Sequence, residues 1–237
     1  MGVFAVQKVS VVRPPRAFRL AVLFFLLTVF WGCHYRENLS VSLLPGGEVP
    51  LKRLVILPFE EKIPLDEAEK SAACPLCGDV FHTDKHTKAE GISLEDIFVA
   101  RLSEYKQYTI VDPERSAVVY RRLSKSVQAP PAEILKLVGK ELGADGVLAG
   151  YLFRYRERVG YWYSVEKPAS VAFDVHLVRV DDGRVVWRAA FDKTQSSLME
   201  NVFQFSSFFT RGVKWLTARE LAEEGIGEMV KIFPGIK

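Results

Sequence analysis

Four residues within a short span, Cys74, Cys77, His82 and His86 in CPLCGDVFHTDKH, have the types and spacing to hold a metal ion. Thiolates and imidazoles at such intervals can close a tetrahedron around Zn²⁺. The step from Cys77 to His82 is shorter than in a zinc finger and nearer to a knuckle. Gly78, not His, follows Cys77, which excludes a c-type haem attachment. The same pair supports other chemistry. In an oxidising compartment Cys74 and Cys77 can join as a small disulfide, a local staple worth ~2 kcal/mol by loop entropy. A thioredoxin-like redox role wants the first cysteine at a helix N-terminus, and no helical pattern follows. Disulfide, bound metal and redox pair all stay open at this point.

No other constellation points to chemistry. There is no glycine-rich phosphate loop, serine-centred elbow or spaced carboxylate pair. Asp174, His176 and Asp192 lie along a strand pair, and a histidine on the outer face of a strand reads as solvated. The expectation is a protein that is not an enzyme.

The front of the chain is of another kind. Residues 1–32 carry Lys8, Arg13, Arg16 and Arg19 and no acid, and Leu20–Trp31 is apolar apart from Thr28. A basic n-region, an apolar h-region of this length and a small residue before a cleavage point make a bacterial export signal. A spanning helix needs ~20 apolar residues, and this run is shorter. Phe30-Trp31-Gly32-Cys33 resembles a lipoprotein signal, whose lipobox reads Leu, a small or aliphatic residue, Gly or Ala, then Cys; Phe30 and Trp31 depart from the first two. The resemblance implies diacylglycerol on the Cys33 thiol, an added acyl chain such as palmitate, and cleavage that leaves Cys33 as the N-terminus. His34, in place of the Asp that retains enteric lipoproteins at the inner membrane, points to the outer membrane. An uncleaved signal anchor would instead place the chain at the inner membrane, on its periplasmic side.

The chain of 237 residues has 32 bases and 29 acids, a formal charge of +3. Removing residues 1–32 takes away four bases and no acid, so the mature part is about −1 and a nucleic-acid partner loses its electrostatic basis. What remains is long enough for one domain with an insertion. Residues 33–50 read as a tether, broken by Pro45, Gly46 and Gly47, and residues 51–237 as a periplasmic domain with a Cys/His-bearing insertion at about 62–91.

Within that domain Leu51–Phe59 and Tyr108–Asp112 are short apolar strands. Ser93–Tyr105, Pro113–Ser126 and Pro130–Gly143 are helical, the last with Gly143 as its stop. Ala144–Arg158 begins as a buried strand and then alternates, with Tyr151, Phe153 and Tyr155 on one face. Ser170–Thr194 is a hairpin turning at Asp182-Gly183, with Val171, Phe173, Val175 and Leu177 on one face and Asp174, His176 and Val178 on the other. Thr217 and Glu220 form a capping box at the head of a last helix. The predicted fold class is α/β (α+β): a mixed sheet with an antiparallel hairpin, covered by helices, in a single domain. Two aromatic stretches stand out as candidate partner surfaces: Tyr161, Trp162 and Tyr163, then Phe203, Phe205, Phe208 and Phe209.

The opening strand ending in Pro58-Phe59 and the Gly143-Ala-Asp-Gly-Val-Leu-Ala-Gly150 strand entry resemble a group of periplasmic α/β domains. These are the curli-secretion lipoprotein, the lipoprotein activators of penicillin-binding proteins, and the N-terminal domain of the Tol-system propeller protein. The resemblance spans roughly Leu51 to Asp192, outside the insertion. It implies a non-catalytic envelope protein that binds a partner or self-associates in cell-wall synthesis, secretion or transport. A single hairpin is too little for a barrel pore. The rival expectation is a metal- or thiol-handling protein built on Cys74, Cys77, His82 and His86, with zinc as its cofactor.

Overall fold

The computed structural model describes residues 39–43, 51–62, 70–84, 94–161, 164–195 and 215–236. Beyond Met1–Glu37 the chain forms one compact unit, Asn38–Lys237. Its frame is a mixed seven-stranded sheet in the order β1 (Leu39–Leu43), β11 (Val185–Thr194), β10 (Ser170–Arg179), β7 (Gly146–Arg156), β2 (Arg53–Ile56), β6 (Thr109–Ile110). The short β3 (Glu60–Glu61) continues the line of β2 along β7. Pairing is parallel among β7, β2 and β6 and antiparallel from β7 to β1. The expected fold class is therefore the one observed.

Among the described residues, four helices cover the sheet. On one face α1 (Leu94–Ser103) and α4 (Ala218–Lys231) bury Ile97, Phe98, Leu221, Ile226 and Met229 against Phe173, Val175 and Leu177. On the other, α2 (Pro113–Ser126) and α3 (Pro131–Leu142) bury Val119, Leu135 and Val138 against Val55, Val147 and Val178. Local chemistry sets the helix ends. Asp112 caps α2 by accepting from the N–H of Glu114 at 2.8 Å. Gly143 closes α3 in the left-handed region. Thr217 and Glu220 close the capping box, with backbone N–H bonds of 3.1 and 2.8 Å.

The two motifs behind the family resemblance turn out to be packing devices. Asp145 accepts from the backbone N–H groups of Lys52 and Arg53 at 2.9 and 2.8 Å, tying the entry of β2 to that of β7. Gly150 leaves room for Phe59: a Cβ there would lie 2.3 Å from the Phe59 ring. The Pro-Phe ending and the final glycine of the strand entry are thus two halves of one contact.

Two expectations are corrected. Residues 39–43, placed in the tether, form the edge strand β1 paired to β11. Tyr155 does not share a face with Tyr151 and Phe153; the register shift opposite Ala172/Phe173 turns it to the α1/α4 side. Beyond β7, β8 (Val159–Tyr161) and β9 (Ser164–Lys167) pair as a hairpin.

A buried cysteine, histidine and aspartate cluster

The half of the sheet that α2 and α3 leave uncovered is roofed by the insertion. Residues 70–84 form a two-stranded ribbon, β4 (Ser71–Ala73) and β5 (Val80–His82), joined by the turn that carries Cys74 and Cys77. Phe81 stacks on Phe153 of β7 at 4.2 Å between ring centroids. Arg154 donates to the His82 carbonyl at 2.9 Å and pairs with Asp192, and Arg188 pairs with Asp79 at 3.2 Å. The insertion takes the place of a covering helix.

Within the turn, Gly78 adopts φ +79, a conformation that favours glycine. Its N–H reaches the Cys74 carbonyl at 2.9 Å, while the Leu76 N–H points at Cys74 Sγ at 3.4 Å. Both sulfurs are thereby directed down onto β10. There the strand's period of two brings Asp174 and His176 to the same face. Cys74 Sγ lies 3.2 Å from His176 Nε2, which is 3.1 Å from Asp174 Oδ2, which is 3.8 Å from Cys77 Sγ. All four ligand atoms lie within 4.8 Å of one another, and both thiols are free. Cys74 is 3% exposed, Asp174 and His176 1% each, and Cys77 is half-buried.

His176, expected to be solvated, and Asp174 on the same face are among the most buried polar residues described. The alternation was read correctly, but their face is covered by a segment distant in sequence. His82 takes no part in the cluster: it is exposed on β5, with Nδ1 3.1 Å from the Lys70 carbonyl. His86 lies outside the described residues, as do Cys33, Trp162, Tyr163, Phe203, Phe205, Phe208 and Phe209. Tyr161 is described and 68% exposed. The signal for the sheet half of the cluster was the Asp-x-His spacing in the strand Ser170–Arg179.

The electrostatics follow from this packing. Burial pushes the Cys74 thiol up, with the His176 hydrogen bond opposing it and Asp174 adding to it. Burial also acts upward on Cys77, but hydrogen bonds with His176, the Asp79 backbone and Cys74 outweigh it, and that thiol ionises more readily than usual. Burial disfavours the His176 imidazolium, yet the hydrogen bond with Asp174, then those with Cys74 and Cys77, push its pKa up to about 11. Asp174 Oδ1 and His176 Nδ1 have no hydrogen-bond partner among the described residues. Chemically, such a set can bind a thiophilic cation or exchange protons internally, but a substrate of any size cannot reach three of its four groups.

No protein-family model matches this chain, and no curated protein matches its sequence. Solved structures do resemble it in architecture. A PelC dodecamer from Paraburkholderia phytofirmans is 15% identical, over 81% of this chain and 93% of that one, with a TM-score of 0.44. The LpoB C-terminal domain from Salmonella enterica is 13% identical, over 62% and 86%, with a TM-score of 0.37. Lipoprotein GNA1162 from Neisseria meningitidis is 14% identical, over 68% and 98%, also with a TM-score of 0.37. At these identities and scores the likeness is one of element arrangement alone.

Proposed function

We propose that this chain is an exported envelope protein, anchored through lipid on Cys33, whose folded unit acts by protein–protein contact and not by catalysis. The observation that carries this reading is the change of character at Gly32-Cys33: a basic, then apolar, leader ends there, and a compact unit begins at Asn38. Among the described residues no helix is long and apolar enough to cross a membrane, so the proposed attachment is through the N-terminus. A diacylglycerol with a further acyl chain anchors durably, because each buried CH₂ adds ~0.8 kcal/mol. The burial of the Cys/His/Asp cluster supports a non-catalytic role for the most reactive groups described.

The position of β1 sharpens the proposal. Residues 34–38 are all that separate Cys33 from Leu39. At ~3.3–3.6 Å per residue, a lipid on Cys33 holds the β1 edge within about 20 Å of the membrane surface. The domain works beside the bilayer, at the periplasmic face of the outer membrane, and a partner must meet it there. Tyr161, exposed on β8, belongs to the proposed contact face together with Trp162 and Tyr163.

Replacing residues 1–33 by an ordinary cleavable export signal that carries no lipid-accepting cysteine is expected to move the protein from the salt-washed membrane fraction to the periplasmic fraction, with its thermal midpoint unchanged. Retention of that chain on salt-washed membranes would overturn the anchor. Cross-linking of the wild type to a defined envelope protein, lost in Tyr161→Ser with the fold intact, is the matching result for contact; an unchanged cross-link would remove Tyr161 from the contact face.

A further inference from the structure

We infer that Cys74, Cys77, Asp174 and His176 form a metal site for a single zinc-class divalent ion that bolts the insertion to the sheet. Four donors of three chemical kinds converge from two elements about a hundred residues apart, the β4–β5 turn and β10. A tetrahedral zinc centre with bonds of ~2.0–2.3 Å has ligand–ligand edges of about 3.3–3.8 Å. Three edges of the cluster are 3.2 Å (Cys74 Sγ to His176 Nε2), 3.1 Å (His176 Nε2 to Asp174 Oδ2) and 3.8 Å (Cys77 Sγ to Asp174 Oδ2), and the other three are no longer than 4.8 Å. Shifts of up to about 1 Å bring all six edges to those values. One nitrogen, Nε2, faces both the Cys74 sulfur and the carboxylate, as a ring coordinating an ion between them would.

The burial argues the same way. A buried carboxylate is tolerated when it is paired or coordinates a metal. Asp174 is 1% exposed, its Oδ1 has no hydrogen-bond partner among the described residues, and its Oδ2 pairs with the equally buried His176. On coordination the cluster gives up its protons, and two thiolates and a carboxylate around a neutral imidazole then carry a negative charge that a divalent cation largely neutralises. The Leu76 N–H directed at Cys74 Sγ favours the thiolate.

Donor type selects the ion. Thiolates exclude magnesium and calcium, which take oxygen ligands. A mixed set of two sulfurs, a nitrogen and an oxygen suits zinc and its neighbours. All four positions are filled by protein, and three donors are sealed from solvent, so the site is structural. Its ligand set differs from the Cys74, Cys77, His82, His86 set expected from sequence spacing, and this difference makes it testable.

The test uses the full-length chain, purified reduced and without oxygen, dialysed against zinc and then against metal-free buffer, with metal counted by elemental mass spectrometry. Cobalt substitution reports coordination through thiolate charge-transfer and tetrahedral d–d absorption. The wild type should retain a single ion per chain and show both bands. Cys77→Ser, Asp174→Asn and His176→Gln should each lose the stoichiometric ion, while His82→Ala should keep it. A chelator should lower the thermal midpoint of the wild type and leave that of Cys77→Ser unmoved, which separates metal loss from simple misfolding. Any of three results would overturn the inference. They are a reduced wild type that retains no ion, undiminished binding in both Asp174→Asn and His176→Gln, and chains from cells with Cys74 and Cys77 joined as a metal-free disulfide.

Discussion

Trp187→Ala should lower the unfolding free energy by about 3–5 kcal/mol, the usual cost of truncating a buried large aromatic. Trp187 is 0% exposed and stands on β11 in the core beneath α4. Its ring meets Phe233 edge-on at 5.1 Å between centroids, so truncation also loosens the C-terminal end of the covering helix. Against a typical stability of about 5–15 kcal/mol, such a loss takes a large share and shifts Tm by roughly 10 °C or more. Trp187→Phe should cost much less. It keeps a ring against Phe233 and removes an indole N–H that has no partner among the described residues. Urea unfolding followed by circular dichroism measures both. A loss below about 1 kcal/mol for the alanine variant would mean that β11 and α4 do not pack as described.

Gly150→Ala should be destabilising by about 1–3 kcal/mol although it adds one methyl group. The new Cβ would sit 2.3–2.5 Å from three atoms of the Phe59 ring. That ring cannot swing away freely, because Phe98 stacks on it at 5.9 Å and Phe173 meets it edge-on at 6.1 Å. In the background of Phe59→Ala the same Gly150→Ala change should cost far less, giving a coupling energy within the usual ~0.5–3 kcal/mol for contacting residues. Strict additivity would show that the Pro-Phe ending and the glycine of the strand entry do not meet.

Much of the architecture was legible because local signals agreed with one another. The helix Pro113–Ser126 has the bounds expected from its sequence, the Thr217/Glu220 capping box forms, and the Ser170–Thr194 hairpin turns where Asp182-Gly183 predicted. A short strand set in a tether-like stretch was not legible. Leu39–Leu43 alternates as Leu-Ser-Val-Ser-Leu, but it is short, stands in a polar stretch broken by Pro45-Gly46-Gly47, and takes its place in the sheet from pairing with β11. The bulge in β7 that separates Tyr155 from Phe153 has no signature in a run where every residue is large and apolar or basic.

The cluster divides along the same line. Cys74 and Cys77 could be singled out because they are close in the chain and because their chemistry is rare. His82 drew attention by the same proximity, yet β5 turns it outward. Asp174 and His176 were placed on the correct face by alternation, but which face is buried depends on a ribbon folded over from residues 70–84. Spacing along one chain reveals ligands that are neighbours in sequence; a ligand pair supplied by a distant strand is visible only once the sheet is assembled.

The central claim, an exported chain held to the membrane by lipid on Cys33, is tested most directly by the intact mass of the protein extracted from membranes. The account predicts a chain beginning at Cys33 and heavier by a diacylglycerol and one acyl group. A chain of full length beginning at Met1, or one beginning at another residue without lipid, would contradict it.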